Sequence, residues 1–165
     1  MNVDFFVKQI AMNKDKEKYI DEKIMNPKYV PYEEKTAKCE NIIRSTSVIK
    51  DETTGVEVYK RNTPACNLFF NLTLIDLYTN IDIDFTHALK DYNTLEERGF
   101  IDEFLKRIPQ TEYVMWQKMI DMVANDYMEN ERSIVSFFET KLGAVDKTAE
   151  SIAEVFKNIE QEVNK

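Results

Sequence analysis

The sequence predicts a mainly α-helical bundle with one small β-hairpin, at about residues 46–60, and a long coiled-coil-like helix near the C-terminal end. Three observations predict this fold class. Apolar residues recur at intervals of three and four along most of the chain, as they do on helices that bury one face. Only three glycines and four prolines occur in 165 residues, which disfavours a loop-rich all-β fold. The apolar content of 43% and aromatic content of 12% supply enough side chains for a core.

Short amphipathic helices are predicted for the first 45 residues. Asp4 is a suitable N-cap for the first of them. Residues 13–25 are highly charged and predict a surface helix, which ends before Pro27 because the residue preceding a proline avoids the helical region. Pro31 is suited to the first turn of the next helix, which is expected to run to about Ser45.

The β-hairpin is predicted from two β-prone runs, residues 46–49 and 56–59, on either side of a polar stretch that ends in Gly55. An isolated two-stranded hairpin is marginally stable in water, so we expect it to lie on the helices or on a partner. Both a surface decoration and a binding prong fit this pattern.

The segment from Pro64 to about Thr79 predicts the central helix of the fold. Asn62, Thr63 and Pro64 give it a polar cap and an early proline. Its apolar side chains surround nearly the whole helix axis, and such a helix is buried on several sides. We therefore expect it at the centre of the core.

Three further helices are predicted between residues 81 and 129. Asp84 is expected to cap the first, with His87, Ala88, Tyr92 and Leu95 on its inner side and Gly99 as the terminating residue. A short helix over residues 100–108 should stop at Pro109, and an apolar helix should begin near Gln110.

The most regular pattern lies between residues 135 and 163, and we call it the seam. Apolar residues follow one another there at alternating steps of three and four, which is typical of a coiled coil or of a bundle helix packed like one. Gly143 interrupts the seam with a residue of low helix propensity, but the apolar phase continues beyond it. The seam contains Ala149 and the predicted interaction residues, which are Val135, Phe138, Leu142, Val145, Ile152, Phe156, Ile159 and Val163.

The position of the seam predicts that the chain is organised in two parts. Residues 1–130 are predicted to form a helical core domain with the hairpin as an insertion. Residues 131–165 form the C-terminal helix, which either packs on this core or is used for self-association. Both alternatives remain open from the sequence.

Charge and cysteine content limit the classes of partner and compartment. The chain has a net charge of −8, with 12 basic and 11 acidic side chains in residues 1–65, and 10 and 19 in residues 66–165. An acidic body disfavours phosphate binding and suits a basic protein partner or simple solubility.

Cys39 and Cys66 stand alone, as in a reduced cytoplasmic protein. No apolar run reaches the length of a membrane span, and no basic leader segment precedes one.

Catalytic and metal-binding patterns are weak in this sequence. Asp82 and Asp84 form the closest carboxylate pair that could hold a hard cation, but helix capping explains them more simply. His87 is the only histidine, so any Ser-His-Asp or Cys-His arrangement must use it. No nucleotide-binding loop or zinc-ligand spacing is present. We therefore predict a protein that is not an enzyme and has no cofactor.

One small basic region is the place where nucleic acid could bind. It surrounds the hairpin and consists of Arg44, Lys50, Lys60 and Arg61, with Tyr59 among them. No known nucleic-acid-binding motif accompanies it, and nucleic acid is disfavoured as a partner.

Several short stretches resemble small proteins encoded by tailed phages and prophages of low-G+C Gram-positive bacteria. They are residues 2–9, 63–65, 74–79, 84–85, 108–109, 130–133 and 135–137. The resemblance implies a phage context and assigns no catalytic residue. We predict a non-catalytic, oligomeric accessory or assembly factor that binds itself, another phage protein or a host protein. The alternative is an acidic inhibitor of a host defence or host enzyme complex.

Overall fold

The structure is a computed structural model that describes residues 1–50 and 57–129. The chain divides into two units, Met1–Asn125 and Asp126–Lys165. All the elements below belong to the first unit. The described part of the second unit, residues 126–129, is helical. The seam, and with it the predicted coiled-coil-like helix, lies outside the described residues.

Helix α1, Val3–Met12, begins the fold. Asn2 is its N-cap, because its Oδ1 accepts a hydrogen bond from the backbone N–H of Phe5 at 2.9 Å. The prediction that Asp4 caps this helix was wrong. Asp4 lies in the first turn instead, where its carboxylate pairs with the Lys90 ammonium at 2.9 Å. The helix buries Val3, Phe6 and Ile10 at helical spacing.

The predicted charged helix at residues 13–25 is shorter than expected and irregular. Helix α2 covers Lys16–Tyr19 and continues as a π-helical turn at Ile20–Ile24. The turn buries Ile20 and Ile24, the two apolar residues that a regular helix would also have placed on one side. An extended connection then leads to α3, Tyr32–Ser47.

The predicted hairpin is confirmed as a two-stranded antiparallel sheet. Strand β1, Val48–Lys50, follows α3 directly and pairs with β2, Glu57–Tyr59, with Val48 opposite Tyr59. The sheet is tied to the end of α3, since the carbonyl of buried Ser47 accepts a hydrogen bond from Lys60 N at 2.6 Å. The loop between the strands lies outside the described residues.

Helix α4, Thr63–Tyr78, is the buried centre of the fold, as predicted. Asn62 caps it by accepting a hydrogen bond from Ala65 N at 3.2 Å. It packs against α3 on one side and against α5, Ala88–Glu96, and α6, Phe100–Leu105, on the other. Its residues from Leu72 to Leu77 are buried almost without interruption, because no side of this helix faces solvent along that length.

A short 3₁₀ turn, Phe85–His87, precedes α5, and α7 begins at residue 110, with residues 110–125 in the first unit. Gly99 separates α5 from α6 with φ +74°, a left-handed conformation that favours glycine, which confirms its predicted role. Helix α6 ends at Leu105, three residues earlier than predicted.

The buried side chains around α4 form two groups of different chemistry. The first, which we call the apolar cluster, joins α1, the π-helical turn, α4, α5 and α6. Its largest members are Phe6, Phe104, Leu72, Ile75, Leu95 and Ile24.

The second group, which we call the polar network, joins α3, α4 and α7. The Lys35 ammonium lies 2.8 Å from Glu112 Oε2, and the same oxygen accepts the Tyr78 hydroxyl at 2.7 Å. The Tyr78 oxygen in turn accepts a hydrogen bond from the indole of fully buried Trp116 at 3.0 Å. The Lys35 side chain is only 4% exposed, so this ion pair is largely removed from water.

Candidate functional site

An apolar groove lies between α3 and α4 and has a volume of about 540 Å³. Two buried side chains, Ile42 of α3 and Thr73 of α4, contribute to it. Phe69 of α4 and Phe85 of the 3₁₀ turn also line it and stack on each other, with ring centroids 6.2 Å apart and planes 20° from parallel. Phe85 is 39% exposed, so part of its ring is open to a partner.

The charged side chains of this groove are cationic. Lys38 and Arg44 line it, together with the neutral polar residues Asn41 and Ser45, and no carboxylate among the described residues does. The Ser45 hydroxyl already donates to the Asn41 carbonyl at 2.7 Å. The groove therefore combines an aromatic surface with positive charge, which favours an apolar segment that carries acidic side chains.

The basic region predicted around the hairpin lies at the end of α3. Arg44 belongs to the last turn of this helix, and β1 with Lys50 follows it directly. Arg44 also lines the apolar groove, so one residue of the predicted basic region belongs to it.

A second concave surface, which we call the polar cleft, lies among α4, α5, α6 and α7 and has a volume of about 660 Å³. It is lined by the carboxylates Asp102 and Asp121, by the rings of Phe70, Tyr92 and Tyr113, and by Asn67, Asn71, Gln117, Cys66, Leu105 and Ile120. No cationic side chain lines the described cleft. Carboxylates and aromatic faces both attract cations, so this surface is suited to a basic side chain of a partner.

Neither described cysteine has the properties of a catalytic nucleophile. Both are free thiols on helices that pack together, Cys39 on α3 and Cys66 on α4. Burial, with a contribution from neighbouring Cys66, raises the pKa of Cys39 to about 12. Burial also raises the pKa of Cys66. Since the thiolate is the reactive form, both groups are poor nucleophiles at neutral pH.

His87 lies in a capping arrangement rather than a catalytic one. Its side chain is 68% exposed, so the prediction that it lies on the inner side of its helix was wrong. Its Nδ1 lies 2.8 Å from Asp84 Oδ2 and 3.0 Å from Thr86 Oγ1. A catalytic histidine uses one ring nitrogen for the acid and the other for the nucleophile, whereas both neighbours here approach the same nitrogen.

Asp84 serves this cap, as the sequence predicted. Its Oδ1 accepts hydrogen bonds from the Thr86 backbone N–H and hydroxyl, at 3.0 and 2.6 Å. These bonds, with the one from His87, lower the pKa of Asp84 to about 2. The adjacent cleft measures about 180 Å³, which is smaller than ordinary ligand pockets.

The carboxylates of Asp82 and Asp84 do not act as a pair. Asp82 Oδ2 accepts a hydrogen bond from the Met1 amino group at 2.8 Å, while Asp84 binds Thr86 and His87. Across residues 1–50 and 57–129, no group of three or more histidine, cysteine or acidic side chains could hold a metal ion.

The residues that the sequence singled out for interaction are all in the seam, outside the described residues. Sequence reasoning missed the groove, because it assigned the apolar side chains of the segment from Pro64 to about Thr79 to the core and gave Phe85 no role in binding. The available signal was the spacing of Lys38, Asn41, Ile42 and Ser45, which places polar and apolar residues together on one side of α3.

Comparison with known proteins finds no matching family model, no matching curated protein and no matching solved structure. In the part of the chain that the structure describes, no helix is both long enough and apolar enough to cross a membrane.

Proposed function

We propose that this protein acts without catalysis, by binding another protein in the groove between α3 and α4. The proposal includes a phage context, a role as an accessory or assembly factor, and self-association through the seam. The observation that carries it is the partly exposed Phe69–Phe85 stack beside the cationic Lys38. Fully burying an apolar side chain contributes roughly 1.5–3 kcal/mol, so a few side chains placed in this groove would support a specific complex.

The length of the groove fits a helical partner. Along α3 its lining runs from Lys38 to Ser45, which corresponds to about 10 Å or two helical turns. An amphipathic helix placed in such a groove contacts it through residues at helical spacing. We therefore assign the partner segment an apolar face of about two turns, with acidic residues beside it.

The test compares two surface phenylalanines. Full-length wild-type protein, Phe85→Glu and Phe5→Glu are used as baits in lysates of host cells, with and without phage infection. Phe5 is 50% exposed and lies outside the groove, so it is a matched control. We expect the wild type and Phe5→Glu to capture the same protein and Phe85→Glu to lose it. Equal capture by all three folded proteins, or no specific capture, would contradict the proposal.

The second candidate function is inhibition of a host defence or host enzyme complex through an acidic surface. The polar cleft favours it, since Asp102, Asp121 and two tyrosine rings form a site suited to a basic side chain. In the same experiment, the double substitution Asp102→Asn and Asp121→Asn would abolish capture if this candidate is correct. It would leave capture unchanged if the groove is the binding site.

A further inference from the structure

We propose that the polar cleft is a binding site for a small organic molecule that carries a guanidinium group and no carboxylate. The cleft is separate from the groove between α3 and α4, so this inference goes beyond the proposed function and does not depend on it. Its volume of about 660 Å³ lies in the range of small-molecule sites, and residues of four helices, α4 to α7, line it.

Two of these helices each contribute one side to the cleft. Asn67 and Asn71 are four residues apart on α4, and Tyr113, Gln117 and Asp121 follow one another at steps of four on α7. Residues four apart lie on the same side of a helix. The fold therefore brings amide, carboxylate and aromatic groups together at one concave surface.

The polar side chains of this lining retain their capacity for hydrogen bonds. Within residues 1–50 and 57–129, five of them have no hydrogen-bond or ion-pair partner for the side chain, and they are Asn67, Asn71, Asp102, Gln117 and Asp121. A guanidinium has five N–H donors and no acceptor, so it needs several acceptor oxygens around it. The carboxylate and amide oxygens of the cleft are acceptors of this kind.

The charge of the cleft selects a cation. Asp102 and Asp121 are its carboxylates, and no cationic side chain of the described residues lines it. Burial raises the pKa of the Cys66 thiol, the charge of Arg61 lowers it, and the charge of Asp121 raises it. Asp121 thus acts on a group of the cleft, while Arg61 does not belong to the lining. A ligand that carries its own carboxylate would be repelled by both aspartates.

The aromatic rings favour a guanidinium over an ammonium group. The buried Phe70 ring packs against that of Tyr113, with centroids 6.5 Å apart and planes inclined by 59°, and Tyr92 adds a third ring. A guanidinium is planar and weakly hydrated, so it stacks on such rings, whereas an ammonium is compact and strongly hydrated. Rings and acceptor oxygens in one cleft therefore match the faces and the edge of a guanidinium.

The test uses the full-length protein and isothermal titration calorimetry. The probe is agmatine, which carries a guanidinium and an ammonium group and no carboxylate. Putrescine has the same four-carbon chain with a second ammonium group in place of the guanidinium, and arginine adds a carboxylate. We expect one agmatine to bind per chain, putrescine to bind at least about threefold more weakly, and arginine to bind more weakly than agmatine.

Two double variants locate the site. Asp102→Asn with Asp121→Asn removes both carboxylate charges of the cleft and retains the shape, so it should weaken agmatine binding at least about tenfold. Glu33→Gln with Glu96→Gln removes two charges from exposed residues outside the cleft and should bind agmatine as the wild type does. Circular dichroism checks that both retain the wild-type helix content. If the first does not, Tyr113→Leu is used, and it should bind agmatine about threefold more weakly.

Four results would overturn the inference. The first is a wild type that does not bind agmatine. Equal affinities for agmatine and putrescine would show that the cleft attracts charge without recognising a guanidinium. Unchanged agmatine binding by the Asp102→Asn and Asp121→Asn variant would place the ligand elsewhere. Binding of N-acetylarginine amide more tightly than agmatine would show that the occupant is an arginine side chain of a partner. None of these results affects capture through Phe85, so failure of this inference and failure of the proposed function are distinguishable.

Discussion

The side of α4 that faces α1, α5 and α6 is packed with apolar side chains, whereas the side that faces α3 and α7 is organised around an ion pair. In the apolar cluster, Phe104 packs its ring against those of Phe6 and Phe100, with centroids 5.4 and 6.0 Å away. In the polar network, Lys35 and the Tyr78 hydroxyl meet on one oxygen of Glu112.

This difference shows how two parts of one core can be specified in different ways. The apolar cluster depends on volume, because dispersion and the hydrophobic effect do not distinguish one well-filled arrangement from another of equal volume. The polar network depends on identity, because each buried polar group needs its particular partner. The position of α7 against α3 and α4 is therefore defined by directional contacts, and the position of α6 by shape.

The largest effect is expected in the apolar cluster. Phe104→Ala removes a fully buried ring and leaves a cavity, so we expect the free energy of unfolding to fall by about 3–5 kcal/mol. Phe104→Leu should cost clearly less, because it retains more of the volume. Urea unfolding monitored by tryptophan fluorescence measures both. Equal losses of unfolding free energy for the two variants would contradict the claim that the stability of the apolar cluster depends on side-chain volume.

A smaller effect is expected when the ion pair of the polar network is broken. Glu112→Gln retains the shape and the acceptor for Tyr78 but leaves the buried Lys35 ammonium without a carboxylate. We expect a loss of about 2 kcal/mol, reduced because the Glu112 side chain is 18% exposed. Adding Lys35→Met should restore stability to within about 1 kcal/mol of the wild type. Additive losses in the double variant would show that the two residues are not coupled.

The smallest effect concerns the pH dependence of the same pair. Burial alone would raise the pKa of Glu112, but hydrogen bonds from Lys35 and Tyr78, with the charge of Lys35, hold it below its ordinary value of 4.5. A carboxyl group whose pKa is lowered by folding stabilises the protein above its unfolded pKa, and this contribution is lost as the pH falls through the folded value.

The difference in the free energy of unfolding between the wild type and Glu112→Gln should therefore have its largest value above about pH 4.5 and decrease below that pH. Urea titrations at pH 7, 5, 4 and 3 measure this difference directly. Other carboxylates, such as Asp84 with its pKa of about 2, lose their contributions equally in both proteins and cancel. A difference that stays constant down to pH 3 would show that folding does not lower the pKa of Glu112.

Local sequence signals predicted the features that depend on a few neighbouring residues. The hairpin was found because β-prone runs flank a polar stretch. Gly99 is identified as a helix terminator because glycine, which has no Cβ atom, adopts the left-handed conformation without strain. Asp84 was identified as a cap, whereas Asn2 was overlooked in favour of Asp4, since both are good capping residues and only the first hydrogen bond decides between them.

Features that join distant segments could not be predicted in this way. Lys35 is a charged residue within a polar stretch of α3, and its sequence neighbours do not indicate that it is buried. Its partner Glu112 lies 77 positions further along the chain. The groove likewise depends on Phe69 and Phe85 meeting across a turn, and neither residue alone indicates an exposed aromatic surface.

The sequence by itself determined that this chain is mainly helical, that it carries one small hairpin, and that α4 is buried on several sides. These properties follow from apolar periodicity and from the turn preferences of single residues, which act over a few positions. The tertiary structure alone decided which polar groups are buried together and which apolar side chains remain exposed in the groove. Both depend on packing between helices, because the burial of a side chain is set by elements that are remote in the chain.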